Sequence, residues 1–436
     1  MYFGTINRMI LAELVKVFLM SLIALTGMFL LAGLIDEATK KGLSATQIIL
    51  AIPLIIPNML PFTIPATTLF ATCVVYGRMS ADSEVLVLRA AGVNIYHLIW
   101  PALILGLGTT AITGALYYDT IPRSQRLLQA QLLNDAEDIL YGMLKREGGL
   151  RQANLDYVLF VRDVQGRNLI DVVIKKRKPD RTGYEMVARA QTATLHVRKV
   201  VDDGSGDGPD APKEKSRLSA SERFRKKRGA SISGEKYELV VLMGRCYVDS
   251  LKGDAAAELH DQPYGTPLPD TIFGKPTGNR PSSQTWTELF ANLAEARQDY
   301  ADLQEELREV QSRGDAPVVG PKTYAEQAAD IRSGPLHFTR LLILKTETEI
   351  HMRPALAVGC LVFVLIGCPV GIWASRSDYL SVFIICFLPT VFLYYPLLLA
   401  SLNLAKNGKV PAWTAWAADA VALVVALVLI RRLMKR

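Results

Sequence analysis

Apolar runs, each long enough to cross a bilayer, fill both ends of this chain, and a polar stretch of mixed pattern separates them. A helix rising about 1.5 Å per residue needs roughly 20 mostly apolar residues to span a hydrocarbon core about 30 Å thick. Residues 14–35, 48–76, 98–118, 355–373, 380–404 and 413–430 meet that condition. The expected fold class is a membrane α-helical protein of six transmembrane helices, arranged 3+3 around a large insert. The expected units are residues 1–118, 119–354 and 355–436. The first run is longer than a signal-peptide core, and Asp36-Glu37 follows it instead of a small-residue cleavage site, so it reads as a retained span.

Periodicity changes inside the insert. Residues 122–146 read as an amphipathic helix leaving the membrane, with Leu127, Leu128, Leu132 and Leu133 on one side. Two alternating runs around Gln165-Gly166 then predict a β-hairpin, and residues 192–201 and 237–248 predict further strands of a small all-β domain. Residues 202–234 lack apolar periodicity, and residues 261–285 are rich in Pro, Gly, Ser and Thr; both are expected to be disordered. Leu289, Leu293, Ala296, Tyr300, Leu303 and Leu307 predict a helix over residues 286–313, and residues 336–352 predict a second one leading into the fourth span.

Charge orients the chain. Six spans put both termini on one side, where short segments carry Arg8, Arg78, Arg89, Arg376, Arg431, Arg432, Lys435 and Arg436. The opposite short loops carry Lys40, Lys41, Lys406 and Lys409. The positive-inside bias places the termini in the cytoplasm and the large insert outside the cytoplasmic membrane. The net charge of +7 suits lipid headgroups or nucleic acid. The basic cluster Arg223 to Arg228 lies in the external insert, where a solvated loop fits better than a nucleic-acid site. Cys73, Cys246, Cys360, Cys368 and Cys386 show neither a disulfide framework nor zinc spacing.

The second span carries Pro53, Pro57, Pro61 and Pro65, each of which removes an internal hydrogen bond, so a broken or kinked helix is expected. Such a bend is either structural or shapes a cavity or a moving segment.

Motifs for chemistry are missing. The chain has no phosphate-binding GxxxxGK[ST] loop, no HExxH, no GxSxG elbow and no ligand spacing among its histidines. It is expected to be no enzyme and to need no cofactor or metal, so any energy-consuming step belongs to a partner. The loop between spans two and three is more informative. Ser80 is a candidate N-cap, Asp82 and Glu84 occupy the first turn, Arg89 the last, and Gly92 supplies a left-handed stop. Val85, Leu88 and Gly92 share a face, which predicts a short amphipathic helix over residues 80–91 that can be pushed as a lever by a protein partner. The alternative is a helix lying flat on lipid, which its acidic first turn suits poorly. Asp36, Glu37, Lys40 and Lys41 at the outer end of span one, Glu347, Glu349, His351 and Arg353 before span four, and Asp419 in span six either face a cavity or anchor helix ends.

These segments resemble the LptF/LptG (YjgP/YjgQ) family of lipopolysaccharide export permeases. The resemblance is carried by residues 54–71 (LIIPNMLPFTIPATTLFA), 82–93 (DSEVLVLRAAGV) and 347–372 (ETEIHMRPALAVGCLVFVLIGCPVGI). It implies a periplasmic β-jellyroll between spans three and four and pairing with an identical or paralogous permease. It also implies a cytoplasmic dimer of ABC ATPases and transfer of the lipid to a periplasmic bridge protein of the LptC/LptA type. By the same resemblance Asp82, Glu84, Leu88 and Arg89 belong to the ATPase-coupling helix, and spans one and five help form a lateral gate. The basic tract over residues 213–228, the Pro/Gly-rich stretch and the helix after Trp286 look like insertions relative to the family pattern.

The expected function is that of an inner-membrane permease subunit. Extracting an amphiphile costs about 0.8 kcal/mol for each acyl methylene withdrawn from the bilayer, so ATP coupling and an apolar cavity are expected. Lys40, Lys41 and Arg353 are the candidates for lipid-headgroup binding at its outer rim. A membrane-anchored envelope scaffold or signalling protein is the competing class, which the coupling helix discriminates. A lipid-modifying enzyme would need a catalytic cluster that the sequence does not supply.

Overall fold

The computed structural model describes residues 4–41, 45–150, 157–177, 183–200, 219, 221, 236–250, 256–259, 262–267, 280–312, 324–373, 384 and 387–434. Among them, six helical stretches are long and apolar enough to cross a membrane: Thr5–Leu34, Ile49–Ala81, Ile95–Asn134, Tyr324–Trp373, Phe387–Lys406 and Ala412–Met434. An antiparallel sheet stands between the third and the fourth. The chain is a multi-pass membrane protein with an inserted β region.

Helices α1 (Thr5–Lys41), α2 (Ala45–Ala81), α3 (Glu84–Ala90) and α4 (Ile95–Ala115) form the first unit. Of the broken or kinked helix expected, the break is absent: α2 continues through Pro53, Pro57, Pro61 and Pro65 as one helix. Spacing by four stacks the rings along one stripe, so the remaining faces keep their hydrogen-bond ladder. Side chains add bonds to the α2 carbonyls: Asn58 Nδ2 donates to Leu54 O at 3.0 Å and the Tyr395 hydroxyl to Phe62 O at 2.9 Å. The hydroxyls of Thr67, Thr68 and Thr72 bond to carbonyls three or four residues earlier in the same helix.

A π-helical turn, Leu116–Thr120, carries span three into α5 (Ile121–Asn134), and α6 (Ala136–Glu147) follows. The predicted single helix over residues 122–146 is thus two helices, parted at Asp135. The strands are β1 (Gly149–Leu150), β2 (Tyr157–Gln165), β3 (Asn168–Arg177), β4 (Tyr184–Val200), β5 (Lys236–Met243), β6 (Cys246–Ser250), β7 (Ala256–Leu259) and β8 (Gln262–Pro267). The hairpin predicted at Gln165-Gly166 is present, with Gln165 opposite Asn168. Strand β4 is long enough to pair along one edge with both β5 and β6, which lie end to end; β8 and β7 extend the same two-part strand outward. The described strands therefore run as an antiparallel meander in chain order. Helix α6 closes one face of it, packing Ile139, Leu140 and Leu144 against Leu159, Leu169, Val172 and Leu195. Tyr141 pins the helix to the sheet by accepting from Leu195 N at 2.7 Å and donating to Arg167 O at 2.7 Å.

One of the two stretches expected to be disordered, residues 261–285, contains ordered elements. Gln262–Pro267 pairs with β5 and Pro281–Ser283 forms a 3-10 turn, because backbone pairing at a sheet edge requires no apolar alternation. Of residues 202–234, Ser219 and Ser221 alone are described; the Ser221 N–H and hydroxyl both donate to the Glu306 carboxylate, at 2.6 and 2.7 Å. The basic cluster Arg223 to Arg228 lies outside the described residues.

After the sheet come α7 (Trp286–Ser312), α8 (Tyr324–Ile331), α9 (His337–Trp373), α10 (Tyr395–Lys406) and α11 (Ala417–Met434). Helix α9 is the hub. Its Cys360, Val364 and Cys368 join a core with α1, α2 and α4, while its Leu356, Phe363 and Val370 join a second core with α10 and α11. The spans before and after the sheet thus share one central helix. Gly367 and Gly371 allow this by letting α9 approach α2 closely. An added Cβ at Gly371 would lie 2.9 Å from Cys73 O, and one at Gly367 would meet the Thr72 hydroxyl and lie 3.2 Å from Leu69 O.

Candidate functional site

The predicted coupling segment is present but shorter. Helix α2 continues through Ser80, whose hydroxyl donates to Ile372 O at 2.8 Å instead of capping a new helix. Asp82 and Ser83 make the turn, with Ser83 in the left-handed region at φ 61°, and α3 begins at Glu84. Asp82 therefore stands in the bend ahead of the helix and Glu84 in its first turn. The stop is the one expected: Gly92 adopts φ 82°, and the N–H groups of Gly92 and Val93 bond to the carbonyls of Arg89 and Leu88.

One side of α3 is anchored and the other is free. Val85 is buried in the core that includes Val75, Met79, Leu98 and Ile99, and Leu88 packs against the same cluster. Asp82, Glu84 and Arg89 are exposed, with no ion pair among the described residues. Leu86 and Val87 are 68% and 65% exposed, an apolar pair beside the two carboxylates that the amphipathic reading did not single out. The signal was present in the consecutive apolar residues of VLVL, more than a one-sided helix of this length can bury.

The helices flanking α3 are fastened at the same level. Glu13 of α1 forms an ion pair with Arg78 of α2, and the Tyr76 hydroxyl donates to Leu98 O at 2.7 Å. Together with the bond from Ser80 to Ile372, these contacts join the ends of α1, α2, α4 and α9. Helix α3 is thus joined to the bundle through Val85 and through short backbone turns.

The candidates at the other end of the spans meet different fates. Lys40 and Lys41 are the last residues of α1, and their side chains, like those of Asp36 and Glu37, lie outside the described residues. Arg353, expected on a rim, is 2% exposed. Its Nη2 donates to the carbonyls of Pro281, Ser282 and Gln284 at 3.0, 3.3 and 2.9 Å, so it fastens the turn before α7 to α9 instead of facing lipid. The reason is chemical: a guanidinium nitrogen can bridge several converging carbonyls at once, and one of these, Gln284 O, is buried. Glu347 pairs with Arg297 at 2.7 Å, buried Glu349 with Lys406 at 3.1 Å, and Asp419 accepts from the Tyr394 hydroxyl at 2.9 Å. These groups join helices to one another. Among the described residues, no three His, Cys, Asp or Glu side chains converge to hold a metal ion.

The membrane helices differ in how much of their surface is covered. The apolar window of the fourth span is 78% buried, against 6% for the first and 25% for the fifth. Helix α1 leaves Leu19, Met20, Ile23, Met28, Phe29 and Leu31 exposed along its length. An apolar crevice of about 230 Å³, lined by Phe363, Val370, Leu393, Tyr394, Val421 and Val425, opens between α9 and α11.

The family described as lipopolysaccharide export system permease LptF/LptG matches residues 8–203 and 328–432. The chain belongs to that family. No curated protein matches it. The LptF/LptG match takes in all six candidate spans, α3 and the first strands of the sheet; residues 204–327, with β5 to β8 and α7, fall outside it.

Proposed function

We propose that this chain is one permease subunit of an ATP-driven lipopolysaccharide export complex in the inner membrane, paired with an identical or paralogous subunit. A cytoplasmic dimer of ABC ATPases supplies the energy, and the chain itself is no enzyme. The termini are cytoplasmic. The β region stands in the periplasm as the first section of the path toward a bridge protein of the LptC/LptA type.

The observation that carries this reading is the two-sidedness of α3. Val85 roots it in the core of the spans, while Asp82, Glu84, Leu86, Val87 and Arg89 are presented to a partner. An anchor or scaffold has no use for such a lever. The sparse cover of span one supports its service in a lateral gate, with span five as the resemblance implies, since an uncovered apolar helix face requires lipid or another subunit against it. Lys40 and Lys41 at the end of α1 are the proposed contacts for lipid phosphates. Arg353 is assigned to the fold.

The test is copurification of the full chain with its ATPase and its partner permease. Glu84→Arg and Leu86→Glu are expected to abolish association with the ATPase while leaving thermal unfolding unchanged, since both side chains are exposed. The chain alone in detergent should hydrolyse no nucleotide. Unimpaired association of both variants favours the envelope scaffold instead.

A further inference from the structure

Among the described residues, one cavity that neither the cytoplasmic helix nor the packing of the spans uses is lined by both aromatic and charged side chains. It lies at the head of span three, against the first turn of α7, and has a volume of about 640 Å³. That falls within the range of about 300–1,000 Å³ typical of small-molecule sites. Its walls carry Tyr118, Asp119, Arg123, Arg126, Trp286 and Glu288. One wall belongs to the family-matched part of the chain, and the other, at the start of α7, to the part outside it.

Both walls are set by local structure. Tyr118 and Asp119 sit in the π-helical turn Leu116–Thr120, a departure from α geometry that recurs at functional sites because it re-aims the side chains it carries. Opposite them, Thr285 and Glu288 form a reciprocal cap at the start of α7: Thr285 N donates to Glu288 Oε2 at 2.9 Å, and Glu288 N to Thr285 Oγ1 at 3.5 Å. The same carboxylate receives both Arg126 Nη groups, each at 3.2 Å. Trp286 is propped by Phe290, ring centroids 5.7 Å apart. Arg353 then fastens the turn immediately before this wall to α9.

The chemistry of the lining selects its ligand. Arg126 is neutralised by Glu288 and Arg123 by Asp119, at 2.7 Å, so the cavity offers no net charge to attract a phosphate or a cation. It is too polar for an acyl chain. What it offers is two aromatic rings beside ion-paired groups that both donate and accept hydrogen bonds. A sugar ring presents apolar C–H faces and a rim of hydroxyls that are donors and acceptors at once, and it is matched by that combination. We infer that this cleft binds a saccharide, with Tyr118 and Trp286 as stacking platforms and the Arg126–Glu288 and Arg123–Asp119 pairs reading the hydroxyls. The saccharide is the glycan of the exported lipid or a strand of the cell-wall polymer. The inference rests on the export reading only for that source and for the outward orientation.

Saturation-transfer NMR on the full chain in nanodiscs tests this with three probes: delipidated oligosaccharide from lipopolysaccharide, glycan fragments of the cell wall, and inorganic phosphate. Wild-type protein is expected to bind one of the two saccharides, and which one binds identifies the source. Trp286→Ala and Tyr118→Ala should each weaken binding by about tenfold or more, the penalty of losing a central aromatic contact. Tyr118 is 58% exposed, so its removal is not expected to move the unfolding midpoint. Absence of binding by both saccharides, undiminished binding by both variants, or displacement of the sugar by phosphate overturns the assignment. Because no transport is measured, loss of the cleft with intact coupling through Glu84 leaves the export reading standing, and the converse leaves the cleft.

Discussion

Arg353 Nη2 donates to Gln284 O at 2.9 Å across 69 residues of chain, joining the central membrane helix to the turn that starts α7. The guanidinium is 2% exposed and also holds the carbonyls of Pro281 and Ser282. Arg353→Ala removes the donor to the buried Gln284 O, and a buried acceptor left unpaired costs about 1–3 kcal/mol. The expected outcome is destabilisation of about 2–3 kcal/mol, seen as a lower thermal midpoint in detergent and as new proteolysis over residues 280–285. Arg353→Lys, with a point charge in place of the fork, should recover less than half of the loss.

The contact between α2 and α9 yields a second prediction. A Cβ at position 367 would meet the Thr72 hydroxyl, and Leu69 O at 3.2 Å prevents α2 from yielding on that side. Gly367→Ala is expected to destabilise the bundle by about 1–3 kcal/mol through overpacking. Thr72→Ala removes the obstructing hydroxyl but keeps the Cβ at 3.0 Å, so the double variant should be more stable than the sum of the single effects predicts without full recovery. Additive losses in thermal unfolding would show that the helices part instead of interlocking at this point.

Both relationships are long-range, and that marks how far the amino-acid pattern alone is legible. The spans, the hairpin at Gln165-Gly166 and helix α7 follow from local periodicity, and each is present where the pattern places it. The errors concern side chains whose partners lie far away in sequence. Ser80 has the makings of a helix cap, but it bonds to Ile372, 292 residues on, and α2 consequently continues past it. Arg353 has the look of a membrane-rim cation because its neighbours are polar, yet the carbonyls that bury it come from a stretch expected to have no structure. Strand β8 escapes a pattern search because it is held by backbone pairing to β5, which needs no apolar alternation. The cleft at Trp286 is out of reach for the same reason: its two walls are 162 residues apart at the Arg126–Glu288 pair.

Glu288 makes that cleft sensitive to acid. Desolvation raises its pKa, but the Thr285 N–H and the Arg126 guanidinium outweigh that effect and hold the carboxyl below its ordinary value. A group depressed in the folded state contributes stability above its unfolded pKa, and that contribution is lost as pH falls through the folded one. The protection of amides over the first turn of α7, measured relative to the intrinsic exchange rate at each pH, should therefore be constant at neutral pH and fall on acidification below the ordinary carboxylate range. In Glu288→Gln the exchange should be faster at neutral pH and lack that transition. An unchanged pH profile in the variant would assign the acid response to another group.

Buried Glu349 and its partner Lys406 supply the last test. Glu349 is 5% exposed and its carboxylate lies 3.1 Å from Lys406 Nζ, where α10 ends against α9. Deleting one member of a buried pair costs about 3–5 kcal/mol because the other charge is left desolvated, whereas replacing both is often close to neutral. The Lys406 side chain retains 34% of its exposure, so solvent screening reduces the penalty. Lys406→Met is expected to cost about 2–3 kcal/mol, and adding Glu349→Gln to it should restore most of the loss. Thermal midpoints of the two single variants and the double variant measure the coupling. If Lys406→Met alone is neutral, the pair lies open to water in the working protein, and α10 is free to move against α9.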